Sequence, residues 1–338
     1  MRLLLIKTSS LGDVIHTFPA LSDALRAYPD LRVDWVVEEA YAELAALHPA
    51  VERVIPIALR RWRRRPWALA SRQAWAAYRA SLREHPYDLV LDAQGLLKSA
   101  FLLRAAPPGI VRAGFDRASL REPWASWFYD RGYAVTRQAH AVERTRSLMA
   151  QALAYTLQGE GDYGLRISAG ASWQGAVWLL HGSSWPTKLW PLAAWRQLAQ
   201  SLGAQGLTVG VPDGQADEEV RARQIAADQA HVRLWPASGV AALASALAGA
   251  RAVVGVDTGL SHLAAALDRP VVALFGPTEI ERTGLYGSRV VHLQAQLPCQ
   301  PCRQERCRIE PQAGAAGAAP CMVAVSVTQV RSALQALL

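Results

Sequence analysis

The strongest constraint on this chain is an alternation. Short apolar runs, rich in β-branched residues, are each followed by a turn and a stretch with apolar residues at helical spacing. In the first half, residues 3–7, 32–39 ("RVDWVVEE"), 51–58 ("VERVIPIA") and 87–94 ("YDLVLDAQ") read as strands. Helical spacing runs through Phe18, Leu21, Ala24, Leu25 and Tyr28, through "AYAELAALH", through "ALASRQAWAAYRASLREH", and through residues 140–155. The pattern then restarts. "AVWLLH" (176–181), "LTVGV", "RAVVGV" (251–256) and "PVVALFG" (270–276) are strands. "LAAWRQLAQSLGAQ", "DEEVRARQIAADQ", "GVAALASALAGA" and "LSHLAAALD" are helices. A βαβα order of this kind predicts parallel sheets covered by helices on both faces.

The chain has 338 residues, enough for two domains of about 150 residues each. Residues 159–176, "GEGDYGLRISAGASWQGA", are rich in Gly and Ser and read as the connection. The expected division is a first α/β domain over 1–158, a linker over 159–174, a second α/β domain over 175–325 and a C-terminal helix over 326–338. Two doubly wound, Rossmann-like domains facing across a cleft are the simplest architecture. Ligands in such sheets bind outside the carboxyl ends of the strands, so the strand-to-helix turns are where chemistry is sought.

The first such turn is "KTSSLGD". It has one glycine, not the G-x-G-x-x-G of a dinucleotide site. Asp13 falls where the next helix starts. It can cap that helix, and a carboxylate there is favoured in its charged form by the helix dipole, which also suits a general base. The turn "VDTGLSH" ends a strand at Asp257. Thr258 and Gly259 lead into a helix whose first N–H groups suit a phosphate, and His262 lies one turn further on. The alternative is a tight turn with a buried His. "LLHGSSWPTKLWP" offers the hydroxyls of Ser183 and Ser184 and the point charge of Lys188; the alternative is a solvated loop. Glu218, opening another helix, suits a ribose or an adenine amine, or only the helix dipole.

Net charge is +8 and uneven. Residues 1–160 hold 22 Lys/Arg against 16 Asp/Glu, and the remainder 14 against 12. The first half is therefore the side expected to face an acidic partner. Arg60, Arg61, Arg63, Arg64 and Arg65 surround Trp62 in "RRWRRRP", and Lys98 sits at a strand end in "DAQGLLKSA". Arginine forks grip phosphate and carboxylate. With a single interleaved aromatic and no accompanying motif, nucleic acid is not the expected partner. No apolar run approaches the ~20 residues of a membrane helix, and the apolar start is shorter than the ~7–15 residues of a signal peptide core. Both predict a cytoplasmic protein. Cys299, Cys302, Cys307 and Cys321 cluster at spacing C-x2-C-x4-C-x13-C, which suits a four-cysteine zinc site or free thiols rather than a disulfide framework.

Taken in order, "KTSSLGDVIHTFPAL", "DWVVEE", "RRWRR", "DAQGLLKSA", "REPWASWFY", "HAVERTR" and "VDTGLSHLAAALDRP…FGPT" resemble the lipopolysaccharide heptosyltransferases of glycosyltransferase family 9, in the type I branch that adds the first heptose. The resemblance spans nearly the whole chain. It implies a GT-B fold, inverting transfer of L-glycero-D-manno-heptose from ADP-heptose to the first Kdo of Kdo2-lipid A, and peripheral work at the anionic cytoplasmic face of the inner membrane, with no cofactor or catalytic metal. It implies that Asp13 is the base. Ser183, Ser184, Lys188, Glu218, Ser238, Asp257, Thr258, Gly259 and His262 would hold the donor. Arg60, Arg61, Arg63, Arg64 and Lys98 would hold the acceptor. Two departures stand out. Serines occupy positions where the family carries threonines in its phosphate turn, and the cysteine-rich tail is closer to the type II branch. The rival readings are a type II enzyme acting on the heptosylated acceptor, a nucleotide-dependent oxidoreductase or epimerase, and a non-enzyme that binds anionic lipid or nucleic acid through the Arg run.

Overall fold

A computed structural model describes residues 1–65, 67–214, 216–236, 239–309 and 317–338, without the side chains of Arg60, Arg63 and Ala216. The chain divides into two compact units, Met1–Leu165 and Arg166–Leu338. The division falls within the Gly/Ser-rich stretch.

The first unit is built on six strands: β1 (Arg2–Ile6), β2 (Arg32–Glu38), β3 (Val51–Ile57), β4 (Leu89–Asp92), β5 (Arg112–Phe115) and β6 (Arg131–Tyr133). Their order in the sheet is β3-β2-β1-β4-β5-β6, and every pairing is parallel. The second unit repeats this plan with β7 (Val177–Leu180), β8 (Val209–Pro212), β9 (Val232–Trp235), β10 (Ala252–Val256), β11 (Val271–Phe275) and β12 (Val290–Gln294). Its order, β12-β11-β10-β7-β8-β9, is the same arrangement read from the other edge. Both are the 3-2-1-4-5-6 order of the doubly wound fold.

The physical cause is visible in the central strands. Leu3, Leu4, Leu5 and Ile6 of β1 are fully buried, as are Val253, Val254 and Val256 of β10. A strand apolar on both faces fits only between two helical layers. The core of the second unit gathers Val177, Leu179, Val254 and Leu274 with Trp190 and Trp195, whose rings meet edge to face at 4.9 Å. The C-terminal helix Val327–Leu337 buries Val330 and Leu334 in this same core, and its first turn is closed by a Ser326–Gln329 capping box.

Several elements differ from expectation. The stretch "AYAELAALH" is only a 3₁₀ turn, Glu39–Tyr41, followed by the four-residue helix Ala42–Ala45. β5, β6, β9 and β12 have no counterpart among the expected strands. The basic run is part of a helix, Leu59–Arg64.

In each unit the order of the sheet reverses between two adjacent strands, β1 and β4 in the first and β7 and β10 in the second. The loops leaving these four strands diverge to opposite faces and leave a crevice. Asp13 and Lys98 follow β1 and β4. Ser183, Ser184 and Lys188 follow β7, and Asp257 to His262 follow β10.

Candidate active site

In the first unit the β1 turn and the β4 turn are tied to each other. Gln94 Oε1 accepts from the Thr8 and Ser9 amides at 3.0 and 3.1 Å, and Lys98 Nζ donates to Ser9 Oγ at 2.8 Å. The buried Asp92 carboxylate fixes the other side, accepting from the Gln94 and Gly95 amides, Ser99 Oγ and the Tyr129 hydroxyl. Burial pushes the Asp92 pKa up, against these donors.

Asp13 sits on the frame so formed, in the first turn of the short helix Leu11–Ile15. Its Oδ2 accepts from Ser10 N at 2.8 Å and Ser10 Oγ at 2.9 Å. The N-cap is therefore Ser10 and not Asp13 as the sequence suggested; Asp13 stands at the third helical position and closes the capping box with one oxygen. Oδ1 lies 3.9 Å from Lys7 Nζ, and the side chain is 40% exposed. One carboxylate therefore holds the Ser10 cap and still presents an oxygen to solvent. Lys7 itself is buried and donates to the Ala93 carbonyl at 3.1 Å; burial lowers its pKa, opposed by Asp13 and Asp92.

The basic residues do not share one place. Arg61 pairs with Glu39 at 3.1 Å, and Arg61 and Arg64 line a cavity of about 800 Å³ with Glu38, Glu39 and Tyr41. Lys98 belongs instead to a more apolar cavity of about 670 Å³ walled by Leu59, Trp62, Trp75, Leu97 and Phe101. Ser71 lines both. The side chains of Arg60 and Arg63 lie outside the described residues.

In the second unit the loops after β7 and β10 meet at a buried carboxylate. Asp257 Oδ2 lies 2.7 Å from Lys188 Nζ and accepts from Thr278 Oγ1 at 2.6 Å, while Oδ1 lies 3.6 Å from His262 Nε2. Burial alone would raise the Asp257 pKa. His262 and Lys188 outweigh it and hold the carboxyl well below the usual range. Lys188 also lies over the Trp185 ring, 4.8 Å from its centroid. Next to this cluster starts the helix Gly259–Ala266, and its N-cap Thr258 spends no side-chain bond on the first-turn amides. Those amides are the groups an anion would use.

Glu218 lies in the first turn of the helix Ala216–Ala226, which follows β8, and reaches the start of the β7 loop. Its carboxylate packs so closely on Gly182 and Gly214 that a Cβ at either would collide with it. Gly214 also has φ +54, which glycine adopts at little cost. Ser183 Oγ accepts from Trp185 N at 3.2 Å, and Ser184 is exposed. Ser238 lies outside the described residues. Thr278, Gln94 and Lys7 were not singled out for these contacts, because each partner is remote in sequence. The four thiols are free, with Cys299 and Cys307 exposed, Cys302 half-buried and Cys321 buried.

The first unit thus offers an exposed carboxylate, and the second a cation, a histidine and a helix start. Both sets fall in a chain that matches a known family. Residues 75–313 fit the family model described as glycosyltransferase family 9, heptosyltransferase. The chain belongs to glycosyltransferase family 9. The lipopolysaccharide heptosyltransferase 1 of Pseudomonas aeruginosa is 53% identical over 315 residues, covering 92% of this chain and 88% of that protein. The solved E. coli heptosyltransferase WaaC with ADP superposes with a TM-score of 0.88 at 38% identity, covering 100% of both chains. A second WaaC structure holds ADP-2-deoxy-2-fluoro heptose, at a TM-score of 0.86 and 38% identity over 99% of both chains. The E. coli lipopolysaccharide heptosyltransferase 2 is only 26% identical over 306 residues, 84% of this chain and 85% of that one. Within family 9 the chain therefore sides with heptosyltransferase 1 and carries the GT-B fold. Among the described residues no helix is long and apolar enough to cross a membrane.

Proposed function

We propose that this protein is an inverting heptosyltransferase that moves L-glycero-D-manno-heptose from ADP-heptose to the first Kdo of Kdo2-lipid A, an early step in building the lipopolysaccharide inner core. The observation that carries the reading is its 53% identity to a heptosyltransferase 1 over 92% of the chain, against 26% for a heptosyltransferase 2.

The chemistry divides between the units. Lys188 has three N–H donors. Asp257 engages it and holds it in place, leaving donors for the diphosphate of the nucleotide sugar. Thr258, Gly259 and the first-turn amides cradle the same group. His262 is oriented by the same carboxylate, toward the pyrophosphate and heptose. As the anomeric C–O bond breaks, charge grows on the departing ADP, and preorganised donors stabilise that charge without reorganising. Glu218 contacts the nucleoside, with Ser183 and Ser184 on the phosphate loop and Ser238 near the adenine.

On the other side, Asp13 accepts the proton of the attacking Kdo hydroxyl through its exposed oxygen. Inversion requires attack on the face of the anomeric carbon opposite ADP, so the base and the leaving-group site belong on different surfaces. Arg60, Arg61, Arg63, Arg64 and Lys98 meet the Kdo carboxylates and the lipid phosphates. The acceptor is a membrane lipid, so the enzyme works peripherally on the anionic cytoplasmic face of the inner membrane. Support for this comes from the positive first unit and from Trp124, Trp127, Phe101 and Leu97, all exposed there.

The test is a comparison of acceptors. The protein is incubated with ADP-heptose and either Kdo2-lipid A or its heptosylated product, and ADP release is followed. Release with Kdo2-lipid A alone is expected. Release only with the heptosylated acceptor would make the protein a type II enzyme.

A further inference from the structure

The helix Leu59–Arg64 contributes to two cavities of the first unit. Arg61 and Arg64 line the cavity of about 800 Å³, beside Glu38 and Glu39. Leu59 and Trp62 line the cavity of about 670 Å³. Residues three apart share a face of a helix, so positions 61 and 64 fall together, and so do 59 and 62. The basic run is thereby sorted by chemistry. The guanidinium groups of Arg61 and Arg64 go one way and the indole of Trp62 the other. Ser71 is on the wall of both cavities, which therefore adjoin.

The second cavity is walled mostly by carbon. Trp75 stacks on Phe101 with ring centroids 5.4 Å apart and meets Trp62 edge to face at 6.3 Å. Its charged groups are engaged by the protein: Lys98 Nζ donates to Ser9 Oγ at 2.8 Å, and Glu122 Oε2 accepts from Leu97 N at 2.7 Å. The volume lies within the ~300–1,000 Å³ of small-molecule sites. A sugar on this wall would leave hydroxyls without partners, which costs free energy. A hydrocarbon chain has none to satisfy. Phe101 and Leu97 are 47% and 40% exposed, so this part of the wall is open to solvent.

We propose that this cavity holds one acyl chain of the lipid acceptor while the adjoining cationic cavity holds part of its anionic head. The inference rests on the reading of the acceptor as an anionic lipid, and adds a subsite for its hydrocarbon. An amphiphile is the ligand class that matches a cationic and an apolar cavity with a shared wall. Its phosphate or carboxylate oxygens meet the guanidinium forks, and its chain leaves water against Trp62, Trp75 and Phe101. The subsite is tied to the chemistry, since Lys98 on its wall bonds Ser9, the neighbour of the Ser10 that Asp13 holds. A chain seated there fixes the position of the lipid relative to Asp13.

The test has two arms, both on the full chain. In the first, octyl, decyl and dodecyl phosphate, each below its micelle concentration, are titrated by calorimetry, with methyl phosphate as the chainless control. A fully buried methylene tightens binding roughly threefold to fourfold, so dodecyl phosphate should bind at least about tenfold tighter than octyl phosphate. Phe101→Gln and Leu97→Gln, at half-exposed positions that tolerate a polar group, should flatten that dependence with little change in thermal midpoint. In the second arm, KM is measured for Kdo2-lipid A, dispersed in a bile salt rather than an alkyl detergent, and for its fully deacylated form. Phe101→Gln should raise the KM of the acylated acceptor several-fold and leave that of the deacylated one within about twofold. A merely structural role would move both. Equal affinity for the three alkyl phosphates would overturn the proposal. So would a chain-length dependence that both variants leave unchanged, or an equal KM change for the two acceptors. No turnover with either acceptor, with the chain-length dependence intact, would defeat the reading of the reaction and still support the apolar site.

Discussion

Lys188 Nζ stands 2.7 Å from Asp257 Oδ2, and the pair joins the loops that leave β7 and β10 on either side of the second unit's switch point. The side chains are 16% and 8% exposed, so this is a largely desolvated pair, further fixed by Thr278 and His262. In the proposed reaction this pair anchors the donor diphosphate.

Replacing Lys188 by Ala should raise the KM for ADP-heptose by roughly 10- to 100-fold. That range reflects the ~1.5–3 kcal/mol of a hydrogen bond to a charged group. Lys188→Arg should recover part of the loss. A donor KM within about twofold of wild type in Lys188→Ala would remove the residue from the donor site.

The packing of Glu218 gives a separate handle on the nucleoside. Gly182→Ala places a methyl group where the Glu218 carboxylate lies, and the acid must move. ADP affinity measured by calorimetry should fall several-fold, while the thermal midpoint changes little. Unchanged ADP affinity would detach Glu218 from the nucleotide.

His48 sets part of the acid sensitivity. Its Nδ1 accepts from the Ala50 amide at 3.1 Å, so Nε2 carries the hydrogen and donates to Ser22 Oγ at 3.0 Å. The ring also stacks on Phe18. Burial lowers its pKa from 6.5 to about 4. Between those values the unfolded chain binds the proton and the folded one does not, so stability is full above pH 6.5 and falls as pH drops toward 4. In urea unfolding, His48→Gln should lose less stability than wild type between about pH 7 and 4.5, by roughly 2–3 kcal/mol. Parallel pH profiles for the two proteins would contradict this.

Much of this was legible in the residues, for stated reasons. β1, β10 and β11 carry runs without a charged interior residue because both their faces are buried, and such runs declare themselves. β5, β6 and β9 are three or four residues long, contain Arg or Gly, and lie at or near a sheet edge. β12 is an edge strand with every residue half-buried. None shows the period that marks a strand. The turns at Asp13, Lys188 and Asp257 were readable because a chemistry-bearing residue follows a buried strand. Their supporting contacts were not. Gln94 reaches Thr8 across 86 positions and Thr187 reaches Gln304 across 117, and only the strand order brings them together.

The most direct test of the proposed mechanism is the effect of Asp13→Asn on a single turnover with ADP-heptose and Kdo2-lipid A, measured beside the Kd for ADP. Asn keeps an oxygen that can accept from Ser10 N but cannot take the proton. The rate constant should fall roughly 10²–10⁴-fold, the contribution of a positioned base, with ADP affinity within about twofold of wild type. Turnover within about tenfold of wild type would contradict the assignment of Asp13 as the base and, with it, the division of the reaction between the two units.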